Sequence, residues 1–314
     1  MNVIARATLA MLLCGTCVAP AHAGPRPVIV TEDVTRFYDL YEATGGRPGV
    51  EQLDRYLAEG SRSLRAFAQA RRVTGERIAQ RLESEPEIYA NARRCLAVLP
   101  AVERRLADAL GRLSELYPTA AWPPVAIVVG RGRPVGMADA SGATIGLEAL
   151  CAADFMNPDP EDRFVYVVVH EYVHTRQALA RAGLEPGDPD ATVLRMSLLE
   201  GAAEFLTELV AGGVGNARHA EWTRGREREI EERFVADMHG TDLDPWMFNY
   251  QPGSDEPYDL GYWVGYRIVK AYFTNAPDKR AAVARILDMD DPEAFLRESG
   301  WEPGMVLSDT SAIK

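Results

Sequence analysis

His170-Glu171-Tyr172-Val173-His174 places two imidazoles four residues apart with a carboxylate after the first, the HExxH pattern. On a helix, residues four apart lie one above the other on one face, so both rings can reach a single metal ion while Glu171 reaches a water bound to it. Valines at 165, 167, 168 and 169 favour a strand by propensity. A strand would set the two histidine Cα atoms about 13 Å apart, too far for one small ion. Asp159-Pro160, a good N-cap followed by proline at the first helical position, predicts a buried helix instead. The bland alternative is a chance match with two structural histidines. Against it, four histidines follow residue 23 and two of them fall in this motif.

A second segment, from near Asp190 to Gly212, is apolar nearly all round, so it predicts a buried helix in which carboxylates need partners. Glu200, Glu204 and Glu208 nevertheless recur at four-residue steps, a spacing at which like charges repel unless a cation intervenes. Glu200 as a third zinc ligand, with Glu204 accepting from a ligand histidine, resolves the conflict. Solvent exposure and pairing with arginine is the alternative for Glu204 and the preferred reading for Glu208. Gly201, beside Glu200, predicts a close approach to the HExxH helix.

The motif and Glu200-Gly201-Ala202-Ala203-Glu204, which starts 26 residues after His174, resemble the gluzincin metallopeptidases. The sequence is most similar to a bacterial family of predicted zinc-dependent proteases named only as a domain of unknown function. The similarity runs through the helical N-terminal part, Tyr117-Pro118, Gly136 to Leu150, both motifs and the Gly261/Gly265 segment. It implies an α+β, mostly helical fold with a zincin-like core and a small antiparallel sheet before the HExxH helix. It implies one Zn2+ per chain on His170, His174 and Glu200, Glu171 as general base, and Glu204 orienting a histidine. Gluzincin aminopeptidases also carry a tyrosine in a Tyr-x-x-Gly element that donates to the oxyanion. Tyr258-Asp259-Leu260-Gly261 is similar, so Tyr258 is the candidate donor, with Tyr262 and His239 behind it. The Gly-x-Met-Glu-Asn element that grips a free N-terminus is absent, since Gly136-Met137-Ala138-Asp139 does not match it, and this favours an endopeptidase over an aminopeptidase.

The remaining elements must position these groups. Val102, Leu106, Leu110, Leu113 and Leu116 form an amphipathic stripe within a helical region over 31–118. Strands are predicted at Val125 to Val129 and Ala143 to Leu147, with a turn at Ser141-Gly142 and an edge able to hold an extended peptide. Helices follow at 217–239, 258–274, 277–287 and 292–299. Residues 24–120 thus form a helical N-terminal part and 121–314 the catalytic part, expected to make one compact unit.

Residues 1–23 run from Arg6 through an apolar stretch to Ala21-His22-Ala23, the order of a secretory signal cleaved after Ala23. A periplasmic or secreted protein with no later membrane segment is expected. Export leaves Cys95 and Cys151, an even pair that predicts a disulfide, with two buried thiols as the alternative. After residue 23 the chain carries 33 basic against 46 acidic residues, a balance of −13 that repels phosphate backbones and excludes a nucleic-acid partner. The expected partner is a peptide or protein in the envelope or outside the cell. Two rivals remain: an inactive zinc-binding envelope protein on a peptidase scaffold, and a metal-free helical protein.

Overall fold

The structure, a computed structural model, describes residues 27–118, 122–133, 135–153, 155–251 and 257–307. The expected signal segment lies outside the described residues.

Six helices fill the N-terminal part: α1 (Glu32–Ala43), α2 (Val50–Ala58), α3 (Arg62–Ala70), α4 (Gly75–Ser84), α5 (Pro86–Leu96) and α6 (Leu99–Leu116). Their starts are written locally. The Ser61 and Thr74 hydroxyls accept from the Leu64 and Arg77 N–H groups, each satisfying a donor that the helix itself leaves free. On α6 the stripe Val102, Leu106, Leu110 and Leu113 is fully buried, and that face packs on the two helices described next.

The helices that carry the two motifs are α8 (Pro160–His174) and α9 (Val193–Ala211). As expected, Asp159 caps α8 by accepting from the Asp162 N–H. Thr192 does the same for α9 through Arg195 N–H, and Gly212 ends α9 in the left-handed conformation, φ 91°. Between them in sequence lies only a 3-10 turn at 180–182. The region expected as one helix over 217–239 is two, α10 (His219–Trp222) and α11 (Glu227–Asp237), parted at Gly225 with φ 78°. Helices α12 (Leu260–Asn275), α13 (Lys279–Leu287) and α14 (Pro292–Ser299) complete the chain.

A four-stranded sheet precedes α8: β1 (Ile29–Val30), β2 (Val125–Val128), β3 (Gly136–Asp139) and β4 (Gly142–Gly146), in the order β1-β2-β4-β3. The fold is α+β and mostly helical, but the sheet is mixed rather than antiparallel. β2 and β4 are parallel neighbours, Val125 opposite Ala143 and Val128 opposite Gly146. The reversal is supplied by β3, which pairs antiparallel with β4 from Gly136–Ile145 to Asp139–Gly142. The chain therefore passes from β2 to the sheet edge and folds back through the Ala140-Ser141 turn into the space between. Asp139 holds that turn by accepting from the Ser141 N–H and hydroxyl. Leu147, expected to end the strand, begins a short helix α7 (Leu147–Cys151).

Gly201 approaches a different helix from the one expected. A Cβ there would lie 2.1 Å from the Gly265 carbonyl carbon and the Tyr266 nitrogen, so α9 and α12 cross backbone to backbone. A Cβ on Gly265 would meet the Ser197 carbonyl oxygen at 1.7 Å. Cys95 on α5 and Cys151 on α7 are joined as a disulfide, Cα–Cα 6.2 Å. Among the described residues no helix is long and apolar enough to cross a membrane.

Candidate metal centre

Helix α8 delivers the two imidazoles one turn apart on the face toward α9. Their Nε2 atoms are 3.2 Å from each other. Glu200, from the middle of α9, puts Oε2 3.0 Å from Nε2 of His170 and 3.4 Å from Nε2 of His174. A tetrahedral zinc with bonds of about 2.0–2.1 Å separates its ligand atoms by about 3.3 Å. The three distances bracket that edge, and one imidazole nitrogen from each histidine with one carboxylate oxygen is a donor set suited to zinc.

The atoms behind these three are also engaged. Nδ1 of His170 lies 3.2 Å from Oε1 of Glu204. The pair is a charge contact without an aligned hydrogen bond, because Nδ1 has no partner in the proper direction. Oε1 of Glu204 also accepts from the Asn216 side chain at 3.3 Å. On the other histidine, Nδ1 is 2.6 Å from Oε1 of Gln177, whose Nε2 donates to the Leu199 carbonyl at 2.7 Å. That donation fixes which end of the amide faces His174, so Nδ1 carries a proton and Nε2 is the nitrogen turned to Glu200. Gln177 was not singled out from sequence. It follows the end of α8, so the helical period that pairs the histidines says nothing about where it points.

In the metal-free protein, burial pulls the His170 imidazole down, but the hydrogen bond to Glu200 and the charges of Glu200 and Glu204 hold it well above the ordinary histidine range. His174 is likewise raised, Glu200 outweighing both burial and the charge of His170. Burial alone would raise the Glu200 carboxyl, yet the two histidines hold it well below the usual carboxylate range. The site thus keeps negative charge on Glu200 and positive charge around it.

All three groups line a cleft of about 420 Å³. Glu171 lies on its wall beside β3: a Cβ on Gly136 would come within 3.3 Å of the Glu171 carboxyl carbon, so glycine leaves the carboxylate room. Gly136, Met137 and Ala138 of β3 line the same cleft. The stretch compared in vain with an N-terminus-gripping element is therefore the edge strand next to the triad.

Tyr258 is not brought to the cleft. It lies ahead of α12, buried against Trp222 and Tyr250, and its hydroxyl donates to the Phe155 carbonyl. Its own carbonyl lies 3.0 Å from Nε2 of the buried His219. Tyr262, one turn into α12, does line the cleft and lies nearly parallel to His170, centroids 6.1 Å apart. Burial, then the charges of Glu200, Asp259, Glu171 and Glu204, push its phenol well above the ordinary tyrosine range, so it stays protonated. His239 is exposed and pairs with Glu293 instead. Glu208 accepts from Tyr266 at 2.8 Å and pairs with Lys270 at 3.3 Å.

Residues 150–295, which include both motifs, match the model of a family described as Predicted Zn-dependent protease (DUF2268). The match agrees with the resemblance carried by HExxH and the Glu200 to Glu204 run, but it leaves out the N-terminal helices and β3. No curated protein and no solved structure matches the chain.

Proposed function

We propose that the protein is an exported zinc peptidase that cleaves peptide bonds within a chain, with His170, His174 and Glu200 holding one Zn2+. The observation that carries this reading is the triad of 3.0, 3.2 and 3.4 Å contacts with Glu171 on the adjoining wall. When bound, zinc acidifies the attacking water and polarises the scissile carbonyl. The Glu171 carboxylate accepts the proton of the water and passes it to the leaving amine. Tyr262 replaces Tyr258 as the donor to the developing oxyanion, since its protonated hydroxyl belongs to the cleft and makes no hydrogen bond among the described residues. An extended substrate adds to the free edge of β3, whose backbone runs past Glu171. Glu204 and Gln177 orient the two imidazoles. The charged-apolar-small order of residues 1–23 and the Cys95–Cys151 bridge support export.

The test is metal content and peptide cleavage measured together. Wild type should hold one zinc per chain, and Glu171→Gln should keep it while losing hydrolysis. Tyr262→Phe should also keep zinc and lower kcat about a hundredfold, with Tyr258→Phe close to wild type. A wild-type protein that holds zinc and cleaves nothing would support the inactive binding protein instead.

A further inference from the structure

Phe248 is held at a cost. Its backbone is left-handed, φ 58°, a region that crowds the Cβ of any L residue and is a genuine outlier for a bulky one. The residue is 52 % exposed. Among the described residues three non-glycines have positive φ, and two of them, Phe248 and Asp259, line the cleft of the metal triad. Strain of this kind persists where surrounding structure over-determines it, and here the determinant is visible. The Asn249 N–H donates to Oδ1 of Asp259 at 3.3 Å, and the Asp259 N–H donates to Oδ1 of Asn249 at 2.8 Å. The Asn249 amide also donates to the Asp244 carbonyl at 2.9 Å. Asp259 occupies the N-cap position of α12, so this reciprocal clasp ties the Phe248 turn to the start of the helix that carries Tyr262.

The ring contacts continue inward. Phe248 meets Tyr262 edge-on, centroids 6.5 Å apart at 85°, and Tyr262 lies along His170. An aromatic row therefore leads from half-exposed Phe248 to an imidazole of the triad. Met196 and Leu199 line the same cleft.

We infer that Phe248 is a specificity-determining residue, the wall of a subsite that takes a bulky apolar side chain of the substrate. Aromatic contact rewards a large apolar group and gains nothing from a small polar one. That the occupant is a peptide rests on the peptidase reading; that the subsite is apolar rests on Phe248 and its clasp.

The experiment uses hexapeptides blocked at both ends, in an alanine-serine background with one phenylalanine moved through every position. Binding is measured to full-length, zinc-loaded Glu171→Gln protein, which needs no turnover. At one position phenylalanine should tighten binding about tenfold over the background peptide, and adding Phe248→Ala should erase that gain. An equal gain in Phe248→Ala, or no gain at any position, overturns the inference. Hydrolysis of the same peptides by wild type separates the two readings. Selective binding without cleavage fells the peptidase and leaves the subsite, while cleavage indifferent to phenylalanine fells the subsite alone. A second measurement tests the strain. Glycine tolerates the left-handed turn and alanine does not, so Phe248→Gly should melt about 2 °C above Phe248→Ala, the reverse of the ordinary order. The ordinary order would remove the strain on which the inference stands.

Discussion

A ligand histidine is placed by whatever its other nitrogen touches. His170 is backed by the Glu204 carboxylate and His174 by the neutral Gln177 amide, itself fixed by the Leu199 carbonyl one residue before Glu200. Gln177 thereby couples the second imidazole to the helix that carries Glu200. Gln177→Leu removes the acceptor and leaves the Nδ1–H of His174 unpaired, while the Leu199 carbonyl keeps only its place in α9, so zinc affinity should fall about 10–100-fold in competition with a chromophoric chelator. Unchanged affinity would reduce Gln177 to packing. The same groups set a pH dependence. Without metal, the raised histidines contribute stability that is complete below the ordinary histidine value and is lost as pH rises through their raised values. The depressed Glu200 keeps its side of those pairs until strong acid. Zinc needs the imidazoles unprotonated, so its contribution grows in the opposite direction. The Tm gap between zinc-loaded and chelator-stripped protein should widen from about pH 6 to about pH 8.5; a gap that narrows would show the metal-free pairs to be uncharged.

At the scale of elements, what was legible in sequence is what local chemistry writes. Asp159-Pro160 announces α8, and the apolar run with Gly212 announces α9, which begins at Val193 within a few residues of expectation. β3 was not legible, because Gly136-Met137-Ala138-Asp139 has little strand propensity and becomes a strand through its hairpin with β4. The two-residue β1 finds its partner β2 nearly a hundred residues on, which no local pattern encodes. Tyr258 was misjudged for a related reason: α12 starts at Leu260 after the left-handed Asp259, so helical periodicity does not extend back to it. Gly201 advertised a close approach without saying to what. Its neighbour is α12, and a methyl there cannot fit within 2.1 Å of the Gly265 carbonyl carbon. Gly201→Ala must force the two helices apart at a cost of about 2–3 kcal/mol, lowering Tm by about 6 °C. Because Glu200 rides on the displaced helix, zinc affinity should fall with it. A variant that melts like wild type would show that the crossing is looser than these contacts require.

Across the whole molecule, the family match begins inside α7, yet the helices of the triad depend on what comes before it. Arg105 of α6 pairs with Glu161 and Asp162 in the first turn of α8, and Arg112 donates to the Val210 carbonyl near the end of α9. β1 completes the sheet from before α1, and the buried apolar side chains form one cluster from Val34 to Trp301. We therefore read residues 24–120 and 121–314 as a single cooperative unit, sewn together by the Cys95–Cys151 bridge across 56 residues. On the chain-entropy model, closing a loop of that size contributes about 4 kcal/mol by restricting the unfolded chain. Replacing both cysteines by serine should lower Tm by about 8 °C and leave zinc stoichiometry intact at 25 °C, since neither sulfur touches the triad. Calorimetry should record one transition in both proteins, shifted as a whole by zinc and by the bridge. Two transitions, with zinc moving one of them and the bridge the other, would divide the chain into independent parts and leave the N-terminal helices outside the stability of the site.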